Sequence, residues 1–204
     1  KRKNLHNRRV VIVSKTKLKN CYCVGGIVDN GNSLRLLNQS GFNQDLDTDF
    51  EIGNVYDILF HKPSHLIPPH IEDVHVVSSS YVRSFLHLKK LGEHLKKVEG
   101  IKIWRGGIES LFDGNLSWTS SGSGYIESSI PKNSVGFWIP NRDIFLSRSW
   151  KKGLFRYSYL RRSLPYVGIQ KPYERIYKNV LLRVSLARWW TPDENIPKRC
   201  YLQL

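Results

Sequence analysis

Methionine is missing from the 204 residues, and cysteine is scarce at three. A low, odd thiol count in a chain this long argues against a disulfide-stapled secreted scaffold; a reducing, cytoplasmic location is expected. Acids are short as well: 17 Asp and Glu stand against 32 Lys and Arg, giving a formal net charge of +15. No run approaches the ~18 apolar residues of a membrane-spanning helix. The basic opening is not followed by the apolar stretch and cleavage site of a secretory signal. Walker loops, a nucleophile elbow, a Cys-x-x-Cys pair and a His-x-x-x-His helix are also absent. The reading is therefore of a protein that is not an enzyme, with no catalytic residues, no cofactor, no resident metal and no membrane partner. Because the chain starts without Met and stops on the strand-like "CYLQL", both ends are expected to be trimmed, with a fused or neighbouring effector domain missing.

What is present favours a basic β protein. Apolar residues at 40% and aromatics at 12% supply a core. The positive excess is uneven, with 15 bases against 10 acids in residues 1–100 and 17 against 7 in residues 101–204. Such a surplus speaks to partners and solubility rather than to fold. An anionic partner is expected.

The β-branched run "VVIVS" (10–14) reads as a buried strand, and the basic leader before it as a phosphate-binding arm or a frayed terminus. "CYCVGGIV" and "SLRLL" flank "DNGN", the strongest short hairpin signal. The pair Gly25-Gly26 inside the first of them suggests a bulge that bends the sheet. Further strands are expected at 54–60 and 73–77, and an amphipathic helix over 84–100, where Leu88, Leu91, Leu95 and Val98 recur at helical spacing. From residue 101 short aromatic-rich segments follow, with a boundary or excursion expected at 113–133. The chain closes on two strands, 180–190 and 199–204. Many short strands with one lone helix point to small β-barrels.

Two segments resemble a known family. "RRVVIVSKTKLKNCYCVGGIVDNGNSLRLLN" with "GNVYDILFHKPSHLIPPHIEDV" is similar to the opening of the dual OB-containing domain. "LLRVSLARWWTPDENIPKRCYLQL" is similar to its closing pair of strands. Lys17, Lys19, Cys23, Gly25, Gly26 and Arg35 fall on the family's first hairpin, and Ser185, Leu186, Cys200 and Tyr201 on its last. The long middle insertion with its helix and the pair Trp189-Trp190 depart from the pattern. The resemblance implies two tandem OB-like barrels; with the helix read from the leucine spacing, the fold expected is mainly β, two tandem OB-like barrels with one inserted amphipathic helix. The first barrel with its trailing helix would occupy 1–100, and the second, truncated at its C-terminus, 101–204. It also implies a nucleic-acid recognition module of prokaryotic defence systems beside an effector protein.

An OB barrel holds oligonucleotides with cations for the backbone and flat rings for the bases. "SWKKGLFRYSYLRR" (149–162) concentrates Lys151, Lys152, Arg156, Arg161 and Arg162 with Tyr157 and Tyr159. The only nearby acid is Asp143, so a phosphate contact is expected. If extended, the stretch puts Phe155, Tyr157 and Tyr159 on one face, either as core or as an exposed stacking surface; if helical, Trp150, Leu154, Tyr157 and Arg161 share a side instead, and periodicity does not decide between them. Lys171 and Arg175 continue the basic stretch with Lys178, Tyr173 and Tyr177. Arg188 and Trp189 follow a strand, whose alternation sends Trp189 and Trp190 to opposite sides, one to the core and one toward a base. Lys17 and Lys19, with Lys15, read as backbone contacts or plain solvation. Arg35 reads as a phosphate contact or an ion pair to Asp29 or Asp57. A zinc site from His61, His65, His70, His75, Cys21 and Cys23 lacks a framing motif. Asp45, Asp47, Asp49 and Glu51 read as a solvated loop rather than a magnesium site. The partner expected is RNA or single-stranded DNA, or alternatively an effector protein docked without nucleic acid.

Overall fold

Val10, Val11, Ile12 and Val13 seed a strand, but β1 (Leu5–Lys17) starts earlier than the apolar run. Its leader has found a partner: Leu5 to Val11 pair antiparallel with β4 (Asn54–His61), from Leu5↔His61 to Val11↔Val55. The basic leader is thus a paired strand from residue 5, not a loose arm. Across this pairing the Arg9 guanidinium grips Asp57 through two hydrogen bonds of 2.9 and 3.0 Å. The computed structural model describes residues 4–148, 154–191 and 193–204.

β2 (Tyr22–Val28) and β3 (Ser33–Leu37) form the hairpin that Asn30-Gly31 announces, with Gly31 at φ +81°. A side chain on Gly31 would stand 2.4 Å from the backbone of Glu99 to Ile101, so glycine is needed for close approach as well as for the turn. The bulge sits opposite Gly25-Gly26 rather than in β2. β1 skips Val13 between Ile12↔Gly26 and Ser14↔Gly25. β5 (Asp73–Ser84) pairs antiparallel with β4 and, at residues 73–75, parallel with β3, closing a five-stranded barrel in the order β1-β2-β3-β5-β4. It runs seven residues past the expected 73–77 because β4 offers a partner along its whole length. Val10, Ile12, Val24, Leu36, Ile58 and Val74 fill the interior with no exposed surface. Helix α1 (Leu88–Leu95) is shorter than the periodicity predicts; Leu91 and Leu95 are buried, while Leu88 is half exposed.

The parallel closure brings Arg35 beside Asp73, with Nη2 donating to Oδ2 at 2.9 Å. Burial pushes the Asp73 carboxyl up to about 6, and Arg35 only partly offsets this. A carboxyl whose native value exceeds its unfolded one holds its proton more tightly when folded. Its contribution to stability is full below ~pH 4 and drains away as pH rises through about 6. A carbon-detected NMR titration is expected to give Asp73 a midpoint near 6; a midpoint at the ordinary 3.8 would refute the burial argument.

The second unit is laid out in short strands: β6 (Ile103–Gly106), β7 (Ser117–Trp118), β8 (Gly124–Ile126), β9 (Val135–Pro140), β10 (Ile144–Arg148), β11 (Phe155–Tyr159), β12 (Arg162–Tyr166), β13 (Arg175–Ile176), β14 (Leu182–Leu186) and β15 (Cys200–Gln203). A 3-10 helix, Ile108–Gly114, follows β6. They form a four-stranded sheet, β12-β11-β10-β13, and a six-stranded sheet, β6-β9-β14-β15-β8-β7. β14 and β15 pair as expected, with Leu186 opposite Leu202. Both sheets line one core around Trp138, Phe112, Leu111, Ile126, Ile144, Leu164 and Leu202. At one edge the sheets are stitched: Ser123 bridges Ser163, and the Leu204 amide donates to Pro165 O. The Ser/Gly stretch at 119–124 is the tight turn between β7 and β8, with Gly122 at φ +85°.

By contacts the chain divides into two compact units, one of residues up to Ile67 with Ile71–Ile101, the other of Pro68–His70 with Lys102–Leu204. The fold is mainly β, with two short helices among the described residues, and its curled sheets suit the OB class. No helix among the described residues is long and apolar enough to cross a membrane.

Candidate nucleic-acid interface

Strand alternation divides the four-stranded sheet cleanly. Ile144, Tyr157, Tyr159 and Leu164 point into the core, so their neighbours point out. Cross-strand register then fixes who stands beside whom. Arg175 (β13) faces Phe145 (β10), Phe145 faces Ser158 (β11), and Ser158 faces Ser163 (β12). The adjacent row is Ser147, Arg156 and Pro165. The outward face is therefore one aromatic ring, 51% exposed, set among serines too small to cover it, with an arginine on either side.

Arg175 stacks between rings, its Cζ 5.6 Å from the Phe145 centroid and 4.6 Å from that of Tyr177. Asp143 holds it there, accepting from Nε at 2.9 Å and from Nη2 as well. The backbone N–H of Lys178 donates to the same carboxylate at 2.8 Å. That amide first, and Arg175 after it, hold the Asp143 carboxyl below the usual range. Tyr173 and Tyr177 are largely exposed on the connection that carries β13.

Arg156 is held differently. Its Nε donates to Ser163 Oγ at 2.6 Å, and its Nη2 donates to Ser123 Oγ at 2.8 Å and to Ser163 O at 3.2 Å. Partial burial pulls the guanidinium below its ordinary value.

Of the residues singled out in the sequence, Arg156 and Arg175 come together on this face. Arg161 is exposed in the β11–β12 turn, and Arg162 stacks on Trp118 at 4.3 Å. Lys171 is exposed on the following connection. Lys151 and Lys152 lie outside the described residues. Tyr157 and Tyr159 require correction. Only 1% and 2% exposed, they are core, and their hydroxyls donate inward to Tyr173 O and Asn141 Oδ1. Neither can stack on a base. Of the two tryptophans, Trp189 is the one turned to the core and so is not a base contact: its indole N–H donates to Pro68 O at 2.8 Å and its ring packs on the core, whereas Trp190 is 58% exposed. Arg188 is half-buried.

Lys17 and Lys19 are exposed at the β1–β2 turn of the first unit. Arg35 is committed to Asp73, not to Asp29 or Asp57, because β5 rather than the hairpin turn lies beside it. Lys15 is nearly sealed, donating to Glu51 at 2.5 Å with Tyr22 beneath it. Asp45, Asp47 and Asp49 stay exposed on their loop. His61 and His75 meet as cross-strand neighbours at 4.9 Å. Among the described residues no three of His, Cys, Asp and Glu group to hold a metal ion.

Phe145 escaped the sequence reading. Its signal was the alternation in "DIFLS", where Ile144 and Leu146 claim the core side and leave Phe145 outward.

The outward face of the other sheet carries a second row. Tyr201 (β15) faces Tyr125 (β8) with centroids 5.9 Å apart, and Trp190 lies 6.1 Å beyond Tyr201. Arg199 stacks on Tyr125 at 4.0 Å but is neutralised by Glu127 at 2.8 Å.

No curated protein matches the chain. Two solved structures are similar along most of it. One, described as "Structural mimicry for functional antagonism", shares 14% identity over 97% of this chain and 89% of its own, with a TM-score of 0.34. The other, the tetrameric p202 HIN2 crystal structure, shares 12% identity over 100% and 92%, with a TM-score of 0.31. Likeness at that level carries no argument about this molecule. The family model is another matter: it matches residues 8–204, and the chain belongs to the dual OB-containing domain family.

Proposed function

We propose that this protein binds single-stranded nucleic acid, RNA or DNA, across the outward face of β10–β13. One observation carries the reading: the register that places exposed Phe145 among serines, diagonal to Arg156, which no carboxylate holds among the described residues, and beside Arg175, which Asp143 pairs. An open ring beside cations is what a single strand needs, because bases offer π-faces and the backbone offers phosphates. The surplus charge of residues 101–204 adds a favourable field for a polyanion. α1 presents few base-reading side chains for a major groove, so duplex is the poorer ligand. In the wider reading, drawn from the family resemblance, the protein is the non-enzymatic recognition arm of a prokaryotic defence assembly in the cytoplasm and works beside an effector protein.

Fluorescence anisotropy with single-stranded RNA, single-stranded DNA and duplex, each at 50 and 200 mM salt, tests this. Single strands are expected to bind more tightly than duplex, and affinity is expected to fall steeply with salt, with log K changing by ~0.7 per log salt for each phosphate neutralised. Affinity indifferent to salt would overturn the reading.

A second reading, a module that docks a protein, is favoured by the Trp190–Tyr201–Tyr125 row. Its arginine is neutralised by Glu127, so that face offers rings without net charge. Co-purification of a protein with no nucleic-acid absorbance would support it.

A further inference from the structure

We infer that Arg156, Ser123 and Ser163 form a built seat for a phosphate-like anion on the outward face of the second unit. The first ground is charge. Arg9, Arg35, Lys15, Lys102, Arg175 and Arg199 each grip a carboxylate. Arg156 is partly desolvated, yet among the described residues only neutral oxygens hold it. A cation drawn out of water without a counter-charge is costly, and the shortfall is what an anion from outside would make good.

The second ground is the direction of the hydrogen bonds. A serine hydroxyl has one proton to give and two lone pairs to accept with. In Ser163 and Ser123 the oxygens accept from the guanidinium, so both O–H groups remain as donors, polarised by the charge behind them. Arg156 Nη1 makes no hydrogen bond within the described residues, which leaves one edge of the fork for a ligand. The serines hold the Nε/Nη2 side of the guanidinium and aim it, while the free Nη1 edge, with the Ser123 hydroxyl next to it at Nη2 and no acid pairing it among the described residues, suits an oxyanion. The three side chains come from β11, β12 and the β7–β8 turn, joined by the Ser123↔Ser163 bridge and by the Ser163 amide donating to Gly122 O. The seat is thus fixed by backbone pairing, and little ordering remains when a ligand arrives.

Its position suggests the occupant. Arg156 and Phe145 lie on the same face in adjacent strands, two residues apart in register and so diagonal neighbours. A strand of nucleic acid whose base covers Phe145 has an internucleotide phosphate within a few ångströms to place on Arg156. That last step rests on the proposed function, whereas the seat itself does not.

The test uses two ligands. Inorganic phosphate is titrated into the whole chain while the arginine side-chain N–H signals are followed by NMR. The Arg156 Nε–H signal is expected to move saturably, and Ser123→Ala with Ser163→Ala is expected to weaken phosphate about tenfold. Arg156→Lys, which keeps the charge but loses the fork, should weaken it similarly and guards against misfolding of the serine variant. An unmoved Arg156 signal, or wild-type phosphate affinity in both variants, overturns the seat. In parallel, a single-stranded oligonucleotide is titrated across a salt series with wild type and Arg156→Gln. The slope of log K against log salt should drop by ~0.7, one phosphate's worth. An oligonucleotide that binds with an unchanged slope overturns the nucleic-acid phosphate as the occupant of the seat and leaves the function standing. Phosphate that moves Arg156 while no oligonucleotide binds upholds the seat and overturns the function.

Discussion

Phe145→Ala is expected to weaken single-stranded nucleic-acid binding about 5- to 150-fold, the loss of one base stacked on one ring at ~1–3 kcal/mol. The ring is half exposed and lies on the side of β10 opposite the core, so its removal leaves the packing around Ile144 and Leu146 intact. Because stacking is not ionic, the salt slope should stay at its wild-type value while the intercept falls. Arg175→Ala should lower both slope and intercept, because it removes the guanidinium that braces Phe145 and Tyr177 and leaves the Asp143 carboxylate unpaired beside the strand. Phe145→Tyr, which keeps the π-face, should bind nearly as wild type. If Phe145→Ala binds as tightly as wild type while the chain remains folded, the β10–β13 face is not where bases lie.

How far the sequence reached is best seen in single residues. The hairpin at Asn30-Gly31, the strand at 54–60 and the closing pair of strands were legible because turn chemistry and β-branched runs act locally. The five-stranded closure was not, since it depends on Arg35↔Asp73, a parallel pairing across 38 positions. The site shows the same limit. Density of charge around 150–162 was plain to read, but whether Tyr157 or Phe145 faces out depends on which side of the sheet the core occupies. That choice is made by Trp138, Phe112 and Leu202, on other strands and turns. Ser123 has no basic or aromatic neighbour to mark it, and only the bridge to Ser163 gives it a role. Trp189 packs on the core while Trp190 is exposed, and no local signal says which, for the carbonyl that claims Trp189 lies 121 positions away, at Pro68.

Trp138→Ala is expected to destabilise the second unit by ~3–5 kcal/mol, the usual cost of removing a large buried aromatic. Trp138 has no exposed surface, meets Tyr159 edge-on at 5.2 Å, and donates its indole N–H to Gly106 O at 3.0 Å. Truncation therefore opens a cavity at the centre of the core and removes one of the two hydrogen bonds that Gly106 O accepts, the other coming from the Asn141 amide. The core of the first unit shares none of these residues: it is built on Val10, Ile12, Leu36 and Ile58. A single substitution should then separate the two units in a urea titration. All six tryptophans lie beyond residue 103, so indole fluorescence reports the second unit alone. Its transition should move to lower urea, while amide exchange at Val10, Ile12 and Ile58 keeps its wild-type protection. A common shift in both signals would mean that the chain unfolds as one cooperative block, and the two-core account of its stability would then fail.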